Sequence, residues 1–275
     1  MDPRWFQIFA LSGLLAYGMR WLAFDIGPAQ AAVTLGAALL TQLAGTRWAG
    51  LSAFDPKSAL ISGLSLCLLL RTNSLVLAAC AGLVAVGSKF LIRIDGKHLF
   101  NPTNFGLVAM MLITGGAVWV SPGQWGSVAF FAFLLACAGG LVVMRAARSD
   151  VTLAFIASYL ALVIGRSLWL GEPLAIPLHR LQNGALLLFT FFMISDPRTT
   201  PDSRAGRILF AMLVAWGAWF VQFRLFRTNG LLWSLSAFSL CTPLFDWLLP
   251  GPRHRWSGKG KAVRSPLPFA CGPNP

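Results

Sequence analysis

Residues 151–169 read VTLAFIASYLALVIGRSLW, a run in which Arg166 is the only charged side chain. A helix of about 20 mostly apolar residues is long enough to cross the hydrocarbon core of a bilayer. A strand of a membrane barrel would alternate apolar and polar side chains over about ten positions, which this run does not do. The run therefore predicts a transmembrane helix.

The rest of the chain repeats this pattern. Hydrophobic residues make up 56% of the 275 positions and charged residues 11%, against about 25% charged in soluble domains. A soluble protein of this composition lacks the polar groups to cover its surface, so the sequence predicts an all-α, polytopic membrane protein with about ten transmembrane helices. The predicted spans are 5–24, 28–46, 57–71, 74–92, 104–120, 125–143, 151–169, 183–200, 206–223 and 229–249.

The positive charges separate the apolar runs instead of forming one basic face. This distribution argues against nucleic-acid binding despite the net charge of +13 and is typical of topology signals. With a cytoplasmic N-terminus, 16 of the 22 basic residues lie inside. We therefore expect a bacterial inner-membrane protein with both termini cytoplasmic, in contact with lipid. The six outside are Arg20, Arg71, Arg166, Arg180, Arg224 and Arg227.

Two domains follow from composition: a ten-span transmembrane domain over 1–249 and a disordered, basic cytoplasmic tail over 250–275. Weak sequence similarities between spans five positions apart in the order favour two inverted five-helix repeats. Thr103-Asn104 opens the fifth span and Thr228-Asn229 the tenth, and the short spans are the third and eighth. The cysteines and histidines show no metal-ligand spacing, so we expect no metal site.

Two stretches place polar groups beside apolar helices. The first, residues 97–106, reads KHLFNPTNFG. Pro102 keeps Asn101 out of helical geometry, so Asn101 and Asn104 sit at a helix start. There they cap free backbone N–H groups or present those groups to an anionic ligand, and the residues alone leave both interpretations open.

The second stretch is the eighth span, which ends in Ser195-Asp196-Pro197. An acid at membrane depth is costly without a partner, so Asp196 either faces a protein-lined cavity or forms an ion pair in the following loop. Asn183 and Gly184 begin the span, and a glycine there would allow a flat ring to approach the backbone.

These two stretches resemble the membrane subunits RnfD and NqrB of the Rnf complex and the sodium-pumping NADH:quinone oxidoreductase. Phe100-Asn101-Pro102 resembles the F-N-P segment before the family's fifth span, and Asn183 to Pro197 resembles its eighth span. Residues 58–64 are similar to its third span. The resemblance implies electron transport coupled to ion translocation, an inverted-repeat fold, and other membrane or flavin-carrying subunits as partners.

The resemblance also implies FMN esterified to the threonine of a D/S-G-A-T block on the outer side. Here the block reads Asn183-Gly184-Ala185-Leu186, and leucine has no hydroxyl to esterify. Thr190, one helical turn further in, is a poor substitute. We therefore expect no covalent flavin. The expected non-covalent site, for FMN, riboflavin or a quinone, comprises Asn101, Pro102, Asn104, Asn183, Gly184, Ser195 and Asp196.

Two other functions fit the same residues. The loss of the acceptor threonine suits a flavin-free transporter or channel on the same scaffold. It equally suits a membrane anchor for a redox or biosynthetic partner. The sequence shows no residue that stands out as a catalytic acid, base or nucleophile.

Overall fold

The computed structural model describes residues 4–51, 53–121, 126–128, 130–131, 133–134, 137 and 149–252. The predicted sixth span lies mostly outside these residues, and so does nearly all of the predicted tail. In the first part of the chain the elements are α1 (Arg4–Trp21), α2 (Pro28–Trp48), α3 (Lys57–Leu69), β1 (Leu70–Thr72), α4 (Leu75–Leu91), β2 (Arg93–Ile94), β3 (Lys97–His98), α5 (Pro102–Thr114) and β4 (Val118–Val120). They are followed by α6 (Ser149–Leu170), α7 (Ala175–Leu181), α8 (Gly184–Leu188), a π-helical turn (Phe189–Met193), α9 (Arg204–Phe223), α10 (Gly230–Ser239) and α11 (Thr242–Leu248).

The helices pack in two groups. In the first, α2 packs against α3 and α4, α1 against α3, and α4 against α5. In the second, α9 packs against α6 and α10. Contacts between α5 and α10 join the groups. The inverted relation between the two halves stays a prediction.

Among the described residues, fewer than ten helices meet the length and composition of a membrane span. Within the described residues, α6 and α9 do so alone, and α10 with α11, bent by 49°, would form a third span. Four shorter apolar helices accompany them, at Lys57–Leu69, Leu75–Leu91, Pro102–Thr114 and Gly184–Met193. The membrane character of the chain thus rests on apolar helices, and the count of ten is not confirmed.

The fold is mostly helical, but two predicted spans end in short strands instead of continuing as helices. The third predicted span ends as the strand β1, and the fifth ends as β4; the two strands pair antiparallel, with Arg71 opposite Trp119. Irregular backbone at membrane depth is stable where protein covers it. All three residues of β1 are buried. Arg71 donates to the carbonyls of Cys67, Leu68 and Leu70, which satisfies acceptors that the end of α3 leaves free.

Ion pairs lie at the two ends of the molecule, which we name the hairpin end and the β1–β4 end. At the hairpin end, where β2 and β3 pair, Lys97 Nζ lies 3.2 Å from Asp202 Oδ1 and 2.6 Å from Asp246 Oδ2. At the β1–β4 end, Arg166 pairs with Glu172 at 2.8 Å. The loops that hold Lys97 and Asp202, both assigned to the inside by the charge pattern, therefore meet. By the predicted orientation, the hairpin end is cytoplasmic.

Candidate functional site

The F-N-P segment forms the start of α5 at the hairpin end. Asn101 is the N-cap: its Oδ1 accepts the backbone N–H of Asn104 at 3.1 Å, and Pro102 occupies the first turn, where no donor is needed. The capping interpretation of these residues therefore holds. The side-chain amide of Asn101 is left free to bond elsewhere.

That amide links α5 to the end of the eighth predicted span. Asn101 Nδ2 donates to Asp196 Oδ2 and to the Phe192 carbonyl, both at 3.4 Å. The other carboxylate oxygen of Asp196 accepts the backbone N–H of Arg198 at 3.0 Å. The F-N-P segment and the Ser-Asp-Pro segment thus meet, and they join the two helix groups.

The remaining polar residues here bond within the protein. Asn104 is fully buried, and its Nδ2 donates to Ser236 Oγ at 2.8 Å and to the Leu232 carbonyl at 3.3 Å. Ser195 Oγ donates to the Phe191 carbonyl at 2.6 Å. Asn104 therefore ties α5 to α10, and Ser195 bonds back to its own helical turn.

Asn183 and Gly184 lie at the opposite end of the same helical segment. Asn183 Oδ1 accepts the N–H of Ala185 at 2.8 Å, so Asn183 caps α8, and Gly184 is buried behind it. Twelve positions separate Asn183 from Ser195, roughly 18 Å at about 1.5 Å per helical residue. The seven predicted site residues therefore form two groups.

A cavity of about 580 Å³ opens beside Asn183. Asn183, Ala185 and Leu186 line one side of it, and β4 contributes Trp119. Pockets for drug-sized ligands and cofactors measure about 300–1,000 Å³. Leu186, which the resemblance places at the family's acceptor threonine, is therefore part of a cavity wall. Thr190 is buried, and it is not among the lining residues.

The cavity wall contains aromatic side chains and arginines. Tyr159 and Phe226 lie on the wall, and the Tyr159 hydroxyl donates to Gln222 Oε1 at 3.1 Å. Arg180 and Arg227 also line it, and neither has a carboxylate within salt-bridge distance in the part of the chain that is described. Such a wall suits a flat ring that carries an anionic group.

Sequence reasoning missed a polar cluster at the hairpin end. Lys89, which the charge pattern counts among the inside charges at the end of the fourth predicted span, is 4% exposed within α4. Its ammonium donates to Gln42 Oε1 and Ser58 Oγ, each at 3.1 Å. The available signal was a lysine inside a predicted apolar span. The Lys97 pairing with Asp202 and Asp246 was also missed, because it joins residues more than 100 positions apart.

His98 packs beside this cluster. The ring is buried, and Nε2 lies 3.4 Å from Arg198 Nη1. Burial, reinforced by the charges of Arg198, Arg93 and Lys89, lowers the pKa of His98 to about 3. The ring is therefore neutral near neutral pH and accepts a hydrogen bond from Arg198.

We expect acid to destabilise the fold through His98. In the unfolded chain the ring protonates near pH 6.5, so the unfolded state binds more protons, and the free energy of unfolding falls as the pH drops from about 6.5 towards 3. His98→Gln keeps an acceptor for Arg198 and removes this titration. Thermal unfolding in detergent at about pH 7.5 and about pH 5 should show a smaller acid-induced loss for the variant. An equal loss in both proteins would contradict the assignment.

No group of His, Cys, Asp or Glu that could hold a metal ion occurs among the residues described. The candidate site is thus the cavity beside Leu186, with the Asn101–Asp196 link at the far end of the same helical segment. The site is suited to binding: a flat, partly anionic molecule would contact aromatic rings, side-chain amides and two guanidinium groups that have no carboxylate partner among the described residues.

The second half of the chain matches a known family, and curated proteins are similar to part of the chain. Residues 112–252 match the NQR2, RnfD, RnfE family. The RnfD protein of the ion-translocating oxidoreductase complex of Erwinia tasmaniensis is 30% identical over 168 residues, covering 59% of this chain and 42% of the relative. Its counterpart in Escherichia coli O9:H4 (strain HS) is 28% identical over 137 residues, covering 49% of this chain and 36% of the relative.

The matched part therefore spans less than half the length of these curated relatives. The family match includes the eighth predicted span and most of the cavity wall, with Leu186 and both unpaired arginines. Because that match extends over more than half of the chain, this chain belongs to the NQR2, RnfD, RnfE family.

Proposed function

We propose that this chain is an integral membrane subunit of an ion-translocating oxidoreductase complex, and that it binds one FMN or riboflavin non-covalently in the cavity beside Leu186. The observation that carries the proposal is the cavity itself. It lies where the resemblance implies an esterified FMN, and its volume of about 580 Å³ is that of a cofactor pocket.

The lining supports a flavin in particular. Trp119, Tyr159 and Phe226 provide faces and edges for a flat isoalloxazine ring. Arg180 and Arg227 provide charge-assisted donors for a phosphate. Asn183 remains the predicted site residue in direct reach of the ligand, because it lies on the wall.

The Asn101–Asp196 link has a positioning role in this proposal. It fixes the hairpin end of the helical segment whose other end carries Asn183 and Leu186. The intervening π-helical turn, Phe189–Met193, is a feature that often accompanies functional sites. Pro102, Asn104 and Ser195 belong to the same end and would support the cavity from a distance.

Arginine variants test the phosphate assignment. One charge-assisted hydrogen bond contributes about 1.5–3 kcal/mol, so Arg180→Gln and Arg227→Gln should each weaken FMN binding by about tenfold or more. Riboflavin, which lacks the phosphate, should bind all forms equally. Titration of the detergent-purified protein by flavin fluorescence quenching measures both affinities.

Arg204→Gln is the matched control, because Arg204 is exposed at the opposite end of α9. It should leave both affinities unchanged. Equal losses for FMN and riboflavin would refute the phosphate contact, and failure of the wild type to bind either flavin would refute the flavin site. Solute flux through flavin-free vesicles would then favour the transporter, and co-purification of a redox partner would favour the anchor.

A further inference from the structure

A second concave surface, separate from the flavin cavity, lies between α6 and α9. This groove, of about 570 Å³, is lined along α6 by Ala161, Leu162 and Gly165 and along α9 by Trp219 and Phe223. Its apolar lining and its place on the outer faces of two membrane helices suit a hydrocarbon chain.

The mouth of the groove is cationic. The guanidinium of Arg166 lies 4.5 Å from the centre of the Phe223 ring, and that of Arg180 lies 5.1 Å from the same centre. Arg224 lies 5.9 Å from the Trp219 ring. The stacked rings hold the three guanidinium groups at one level of the structure.

Only one of these arginines has an acidic partner among the described residues. Glu172 accepts from Arg166 at 2.8 Å, and the hydrogen bond from Arg166, with one from Ser167, keeps the pKa of Glu172 below its usual value. Arg180 and Arg224 form no salt bridge with the residues described. The mouth therefore carries an excess of positive charge.

Arg166 and Arg224 lie close to the ends of α6 and α9, where the predicted spans place the headgroups of a bilayer. Trp169, in the last turn of α6, is 88% exposed. Tryptophan at span ends marks the membrane interface. An acyl chain in the groove would thus place its phosphate among the guanidinium groups.

We infer that this groove binds an anionic phospholipid, with the phosphate at Arg224 beside Arg166 and one acyl chain along Gly165. By the predicted orientation the lipid comes from the outer leaflet. Charge complementarity decides the occupant, since a neutral lipid or an apolar partner helix would leave Arg224, which forms no salt bridge with the residues described, without an anionic partner. The inference does not depend on flavin binding.

Two variants test the two parts of the site, the headgroup contact and the groove for the acyl chain. Arg224→Gln removes a headgroup contact at an exposed position. Gly165→Leu fills the groove, and no heavy atom lies within 4 Å of the added Cβ, so the helix should fold unchanged. The matched controls are Arg204→Gln, at the other end of α9, and Gly13→Leu, which likewise has open space around its Cβ.

Native mass spectrometry of protein from nanodiscs gives the readout. The nanodiscs contain phosphatidylcholine with a minor fraction of either diphosphatidylglycerol or phosphatidylethanolamine. We expect the wild type and both controls to retain diphosphatidylglycerol, and the two groove variants to retain it about tenfold less, as loss of about 1.4 kcal/mol predicts. Size-exclusion profiles confirm that each variant is folded.

Three outcomes would overturn the inference. They are equal retention of the anionic lipid by all variants, equal retention of phosphatidylethanolamine and diphosphatidylglycerol by the wild type, and no retained lipid at all. Loss in Gly165→Leu without loss in Arg224→Gln would also overturn it, because the headgroup contact is the part that selects an anionic lipid.

Discussion

Gly82→Val should largely abolish accumulation of the folded protein, and Gly82→Ala should destabilise it. Gly82 lies where α4 crosses α2. A Cβ there would come within 2.7 Å of the Thr34 carbonyl oxygen and 3.1 Å of the Ala38 nitrogen. These are backbone atoms, so the helices must move apart. Membrane helices associate through such close approaches, since lipid provides no hydrophobic force between them.

The expected loss for Gly82→Ala is about 1–3 kcal/mol, the usual cost of overpacking, and valine adds two methyl groups to the clash. Gly87→Ala on the same helix is the control. Its Cβ would meet only a Thr41 methyl group at 3.9 Å, so stability should stay the same or rise slightly with helix propensity. Thermal unfolding in detergent, followed by size exclusion, measures the difference. Equal melting curves for Gly82→Ala and Gly87→Ala would show that α2 and α4 do not pack this closely.

Leu186→Thr should make the chain an acceptor for covalent FMN when the host supplies an activated flavin phosphate such as FAD: the threonine oxygen bonds to the FMN phosphorus, the P–O–P bond breaks, and AMP leaves. The substitution restores the G-A-T sequence and places a hydroxyl on the cavity wall, beside the arginines proposed to hold the FMN phosphate. The expected result is a fluorescent band after denaturing electrophoresis, where the wild type shows none. The host must be one in which a family member that carries the threonine becomes flavinylated.

Leu187→Thr is the matched control for that experiment. Leu187 is buried and is not among the cavity-lining residues, so its hydroxyl would not reach the ligand. It should give no fluorescent band. If the Leu186→Thr protein gives no fluorescent band while the threonine-carrying family member does, the cavity does not present a flavin phosphate at this position.

Local signals in the sequence predicted the parts of the fold that depend on neighbouring residues. Pro102 and Asn101 predicted the start of α5 correctly, because proline geometry and N-capping act within one turn. Apolar length predicted α6 and α9, the two helices that qualify as spans alone among the described residues. Asp196 was expected to face a protein-lined cavity or to form an ion pair in the following loop; among the described residues its side-chain partner is the amide of Asn101.

Features that depend on distant residues could not be predicted. Strand β1 continues an apolar run, and only its partner β4, almost 50 positions later, makes a strand stable there. The cavity also depends on distant residues, since α6, α7, α8 and the segment before α10 all contribute to its wall. The seven predicted site residues lie in two groups because a helix separates polar residues at its two ends, and their role in binding stays a prediction.

The flavin content of the purified wild-type protein tests the central claim most directly. After reconstitution with FMN and removal of the excess, we predict close to one flavin per chain, with its visible absorption, and complete release of that flavin on denaturation. A colourless protein that retains neither FMN nor riboflavin would contradict the proposed function.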